Sequence, residues 1–369
     1  NMPFLQKQLI ILIVILINSI NIGTNPIELT ETQLIYNTTM DEYPKLRNKL
    51  KTGKQQSKIE KRFLSSSFNN NRWIENIITI AGGNGKGNQS NQLMFPQGIY
   101  IDYDSQVIYI ADSENHRIIK WRFNNTNGEI VAGGNGKGNG INQLDSPKDV
   151  VFDKKSNSLF ICDTENRRIV QWFNQINKNP QIITSDITCW SIKIDRKNNL
   201  YVSDYEKRQI RRWKIGENPR TDGILVAGGN GQGDRLNQLA FPTSIFVDQD
   251  YTIYAADGWN NRIMKWIKDA KEGIILAGRN GKGDGLTQLH FPQGLIVDHW
   301  GQIYVADGAN NRVMRFSNES SYGVIVMGGN GQGKKLNQLI WPSGLSFDRE
   351  GNLYVADWGN HRIQKIRIN

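Results

Sequence analysis

An all-β fold, a six-bladed β-propeller of four-stranded antiparallel blades, is predicted by three features of this sequence. A Gly-rich phrase, Ala81-Gly82-Gly83-Asn84-Gly85-Lys86-Gly87, returns in near copy from Ala132, Ala227, Ala277 and Met327. A second motif, Asp-x-x-Asn-x-Arg, places its Asp at positions 112, 163, 204, 257, 307 and 357, with spacings of 51, 41, 53, 50 and 50. Such a period, holding several short strands per unit, marks a propeller. The third feature is an offset at the ends of the repeat. Arg362-Ile363-Gln364-Lys365-Ile366 reads as a third strand with no fourth after it, while Ile77-Ile78-Thr79-Ile80 stands unpaired before the first Gly phrase. Residues 77–80 are therefore expected to join the last blade and close the ring, which removes an open sheet edge.

Taken in order, the chain starts with Met2, a basic Lys7 and an apolar run from Leu9 to Ile17. That run is far short of the ~20 residues that cross a bilayer and fits the core of a secretory leader. Residues 1–23 are read as a signal peptide or short membrane anchor. Secretion is the expectation, with a membrane-anchored propeller facing outward as the alternative if the leader stays uncleaved. Four Asn-x-Ser/Thr sequons, at Asn37, Asn88, Asn124 and Asn318, agree with that route as glycosylation candidates. Residues 24–72 are polar and basic without sustained periodicity, a disordered linker or pro-segment with room for one short helix around 42–52.

The propeller itself is assigned to residues 73–369. Its blade five shows the strand pattern best, with Gly294–Asp298, Ile303–Asp307, Arg312–Phe316 and Gly323–Met327 as four short runs. The first two are almost continuously apolar, as strands covered on both faces must be. Trp121, Trp172, Trp213, Trp266 and Phe316 recur near the ends of the third strands and are expected to pack between blades.

Charge and cysteine content narrow the function classes. The formal net charge is +10, but residues 1–72 hold 10 Lys/Arg against 5 Asp/Glu, which leaves the ring only weakly basic. A nucleic-acid interface needs a clustered basic stripe, and none is present. Cys162 and Cys189 are the only cysteines, too few for a zinc module, and both sit in apolar strand contexts where a disulfide and buried thiols are equally compatible.

These residues resemble NHL-repeat six-bladed propellers over residues 75–369. Five of six units keep Asp-x-x-Asn-x-Arg, as in Asp112-Ser113-Glu114-Asn115-His116-Arg117 and Asp357-Trp358-Gly359-Asn360-His361-Arg362. Blade three departs, with Asp204-Tyr205-Glu206-Lys207-Arg208-Gln209 and no Gly phrase before it. The resemblance implies the fold and leaves function open, since such domains bind RNA or protein, act as kinase sensor domains, or form a lyase. In amidoglycolate lyases of similar fold, a His follows the blade-opening Pro in several blades, and three such His hold a catalytic zinc. Here the corresponding positions are Gln97, Lys148, Trp190, Thr243, Gln293 and Ser343, so a metal-dependent lyase or hydrolase is the alternative and an RNA-binding propeller the further one.

Both repeated motifs read as structure. The Gly phrase lacks the strand–loop–helix setting of a phosphate loop, and its Gly and Asn are expected to supply positive φ between blades. In Asp-x-x-Asn-x-Arg, Asp is expected to cap the turn, Asn to turn left-handed and Arg to tie the turn down. Function then belongs where the repeats differ on their common face. The six post-Pro positions should ring the channel mouth, and Glu114, Glu165, Tyr205, Trp259 and Trp358 diverge on the neighbouring loops. Exposed Trp beside carboxylates suits a protein, peptide or glycan ligand. The sequence thus predicts a non-enzymatic extracellular binding module with no catalytic set, cofactor or metal.

Overall fold

A computed structural model describes residues 77–175, 177–216, 222–317 and 322–367. The leader, the linker and sequons Asn37 and Asn318 lie outside the described residues; Asn88 and Asn124 are described, and both are exposed. The described residues form six four-stranded antiparallel sheets around a common axis. In blade one the strands are Pro96–Asp102, Val107–Asp112, Arg117–Arg122 and Gly128–Gly133, paired in sequence order. The first strands of neighbouring blades face one another and line the axis, while each fourth strand lies at the perimeter.

The ring closes as the offset predicted. Ile77–Gly82 pairs antiparallel with Arg362–Ile366, setting Ile77 opposite Ile366 and Gly82 opposite Arg362. This makes the first described strand the fourth strand of blade six.

Packing follows from the repeat. Six apolar clusters are buried, one at each boundary between neighbouring blades. The Leu that follows Gln after each Gly phrase (Leu93, Leu144, Leu239, Leu289, Leu339) is fully buried. Ile187 takes this place where the Gly phrase is missing. Trp121 sits in the cluster between blades six and one, and Trp266 in that between blades three and four, which is the expected packing between blades.

The motifs prove to be one device. Asp112 Oδ2 accepts from Asn115 Nδ2 at 2.8 Å and from Arg117 Nε at 2.7 Å, and Arg117 Nη1 reaches on to the Asn88 carbonyl at 2.8 Å. Asn115 also donates to the Gly87 carbonyl at 2.9 Å. Each conserved Asp-Asn-Arg set thus clamps the Gly-rich loop that enters its own blade. Two expectations about these turns need correction. Positive φ is found at Gly82, Gly83 and Gly85 and not at Asn84. Nor is the motif Asn left-handed: that conformation falls on the next residue, His116, Arg167, Asn261, Asn311 or His361, and on Arg208 at the matching place in blade three. The motif Asn stays in the turn because its amide is held by the Asp and by the Gly-loop carbonyl.

Blade three is built differently. Without a Gly-rich loop there is nothing for an Arg to clamp, and Gln209 stands in its place. Cys189, in the slot filled elsewhere by Pro, forms a disulfide with Cys162 of blade two, with a Cα separation of 5.5 Å that lies in the usual range. On the surface Arg167 pairs with Asp186 and Glu206, and Lys207 pairs with Asp186. A covalent link and an ion network hold the seam that the loop holds elsewhere.

Candidate functional site

A β-bulge at the start of each first strand builds the site. Pairing jumps from Pro242 to Ser244, from Pro292 to Gly294 and from Cys189 to Ser191, which leaves Thr243, Gln293 and Trp190 outside the ladder. Blades one, two and six break register at the same place. Such a bulge re-aims a side chain, and here it turns the post-Pro residue toward the axis.

The resulting depression at the channel mouth is open to solvent and, counted with that open space, spans about 340 Å³. Of the six positions expected there, Gln97, Lys148, Trp190, Thr243 and Gln293 line it, and Ser343 does not. The Ser343 hydroxyl donates to the Gln97 carbonyl at 3.0 Å, and that of Thr243 to the Pro292 carbonyl at 2.7 Å, so both tie adjacent blades together. This cup continues down to Ile99, Lys193, Leu295 and Leu345, between inner strands packed so closely that a Cβ on Gly98, Gly294 or Gly344 would overlap its neighbour.

Lys148 is the distinctive member. Its Nζ lies 5.5 Å from the Trp190 ring centroid, and among the described residues it has neither a hydrogen bond nor an ion pair. Burial holds the amine below the usual lysine range, opposed by the charges of Glu114, Glu165 and Asp145. Glu114 and Glu165 are exposed on the rim. The other lysine of the cup is neutralised: Lys193 Nζ sits 2.9 Å from Asp149 Oδ2, which also accepts from Ser191 Oγ at 2.8 Å and Ile192 N–H at 3.0 Å. Gln97 Nε2 donates to Gln293 Oε1 at 3.2 Å across the cup.

The aromatic residues divide into two groups. Tyr205 and Phe241 both contact Trp190 edge-on, at 5.5 and 5.1 Å between centroids, and Trp259 stacks on Phe241 at 5.0 Å. Trp259 remains half exposed, so one of its faces is free beside the cup. Trp358 packs at 4.3 Å against Phe95 and is partly covered, so it presents less surface than its sequence position suggested. Reading only the post-Pro and turn positions missed Phe95, Phe241, Phe291 and Trp341. Their signal was an aromatic residue directly before the Pro in four of six blades. Asp149, Ser191 and Lys193 were missed as well, because they lie one or more residues further down the inner strands.

The four His do not converge. His361 and His116 accept the backbone N–H groups of Phe95 and Ser146 through Nδ1, at 3.2 and 3.1 Å. Asn311 Oδ1 does the same for Trp341 at 2.9 Å. Among the described residues no group of three His, Cys, Asp or Glu could hold a metal ion.

Known proteins resemble the chain chiefly in this architecture. The NHL repeat model matches residues 93–121 and 339–366. Protein SUPPRESSOR OF QUENCHING 1, chloroplastic, of Arabidopsis thaliana is 27% identical over 209 residues, which cover 46% of this chain and 19% of that protein. The match thus spans about a fifth of that relative's length. An auxiliary nutrient binding protein from Bacteroides thetaiotaomicron superposes with a TM-score of 0.61 at 16% identity, covering 79% of this chain and 76% of the other. A gluconolactonase from Xanthomonas campestris superposes with a TM-score of 0.54 at 13% identity, covering 79% and 89%. At such identities the two structures establish shared fold alone. Two NHL-repeat matches within a closed ring of six like blades identify this chain as an NHL-repeat six-bladed β-propeller.

Proposed function

We propose that the chain is a non-enzymatic binding module that takes its ligand at the channel mouth and adjoining loops, outside the cell. The observation that carries this reading is Lys148, an amine that lines the cavity over Trp190 with no hydrogen bond or ion pair among the described residues. Lys148 is half-buried, and an amine that lines a cavity with its hydrogen-bond donors unused is open to a ligand's acceptors. Rigid loops on a closed ring lower the ordering cost of binding. The free face of Trp259 and the rim carboxylates of Glu114 and Glu165 extend the contact surface for a protein, peptide or glycan. Secretion and glycosylation at Asn88 and Asn124 complete this reading. A nutrient-binding propeller among proteins of similar fold is consistent with it.

The experiment is selection of ligands from immobilised peptide and glycan libraries by the full chain, followed by affinity measurement with Trp259→Ala. Loss of affinity with an unchanged melting temperature is expected. Unchanged affinity for every selected ligand would contradict the site.

A further inference from the structure

The chemistry of the cup distinguishes among ligand classes. Its polar groups differ in hydrogen-bonding sense. Lys148, in the lining, offers only donors, and the carboxylates of Glu114, Glu165 and Asp145, whose charges act on that amine, offer only acceptors. A carboxylate or phosphate ligand would satisfy Lys148 while facing three like charges, and a cation would satisfy the carboxylates while facing the amine. A hydroxyl suits both, accepting from the amine and donating to a carboxylate with no net charge.

A second observation points the same way. Gln97 and Gln293 are 7% and 4% exposed, and one hydrogen bond joins their amides. In that pair Gln97 Oε1 and Gln293 Nε2 have no hydrogen-bond partner among the described residues, and both side chains line the cavity. Turning both amides over leaves the same remainder, one acceptor and one donor. Paired donors and acceptors of this kind match adjacent hydroxyl groups.

The third observation is apolar. Phe241 connects Trp190 at the cup to Trp259, which lies flat on it with its outer face free. A sugar ring has one face of C–H groups that packs on such a surface while its edge carries the hydroxyls.

From these three features we infer that the channel mouth recognises a neutral saccharide, with the hydroxyl edge in the cup at Lys148, Gln97 and Gln293 and the C–H face on Trp259. This inference rests on the binding reading above and selects one ligand class within it.

The test applies the purified full chain to arrays of neutral oligosaccharides, of oligosaccharides bearing uronic or sialic acids, and of random peptides. Neutral oligosaccharides are expected to bind. Loss of a charged hydrogen bond in Lys148→Met should lower their affinity about tenfold or more, and Trp259→Ala about tenfold. Trp300→Ala, a change at an exposed residue on the opposite face, should leave affinity unchanged. Preference for the acidic sugars would overturn the inference in favour of an anion site. Binding of peptides alone, abolished by Lys148→Met, would overturn the sugar class while the binding reading stands. Absence of binding to all three arrays would remove both.

Discussion

His361 Nδ1 accepts a hydrogen bond from the Phe95 backbone N–H at 3.2 Å, across the boundary between the last blade and the first. The bond requires an unprotonated Nδ1. Burial, with the charges of Lys86 and Lys334, holds the imidazole below its ordinary pKa of 6.5. A depressed histidine pKa means that the unfolded chain takes up the proton first. Stability from this site is therefore present in full above about pH 6.5 and declines as pH falls through that value. Asn311 already plays the same part for Trp341, so His361→Asn keeps the acceptor and removes the titration. Thermal melts at pH 7.5 and 5.5 should show a smaller difference in the variant than in the natural chain; an equal difference would contradict this role.

The clamp of the Gly-rich loop should dominate the stability of a blade. Arg312 joins Asp307 at 2.8 Å and also donates to the carbonyls of Asp284, Gly285 and Gln288. Asp307 is fully buried, so Arg312→Ala strands its charge and should cost about 3–5 kcal/mol in urea unfolding. Gln209→Arg should bring no gain, because blade three has no loop to clamp. Stabilisation by that change would show the motif to act without its loop.

The Cys162–Cys189 link closes a sequence separation of 27. Restricting the unfolded chain over that span contributes about 3.5 kcal/mol. A Cys162→Ala, Cys189→Ala double variant should melt lower while keeping its β-sheet spectrum. An unchanged melting temperature would assign the seam to the Arg167–Asp186–Lys207 ion network instead.

Ring closure depends on the first described strand. Ile77 is buried in the cluster between blades five and six. A chain starting at Gly83 lacks that strand and exposes the edge of Arg362–Ile366 to other molecules. Such a chain should self-associate or melt below the full chain, as read by light scattering and calorimetry. Monomeric behaviour with the same melting temperature would show the closure to be dispensable.

The blades were legible because each one repeats the same solution. Asp, Asn, Arg, Gly and Leu return at fixed offsets, and the missing fourth strand of blade six could be matched to Ile77–Ile80. The channel-mouth positions were legible from the Pro that precedes them. What one blade shows only in relation to another was not. Cys162 and Cys189 are 27 positions apart, and nothing in their spacing separates a pair from two buried thiols. The setting of the Lys148 amine emerges only when blades one to three come together, since Glu114, Glu165 and Trp190 come from different units. The aromatic contact of Phe241 with Trp190 and Trp259 likewise spans two blades, although Trp190 and Trp259 each stood out in their own.

The central claim is that a ligand occupies the channel mouth at Lys148. Titration of a selected ligand against the natural chain, Lys148→Met and Trp300→Ala tests it most directly, because the two substitutions lie on opposite ends of the ring. Trp300 is 71% exposed in the turn between the first and second strands of blade five. Binding at least about tenfold weaker is expected for Lys148→Met, and unchanged binding for Trp300→Ala. Loss with Trp300→Ala and none with Lys148→Met would place the ligand on the other face and contradict it.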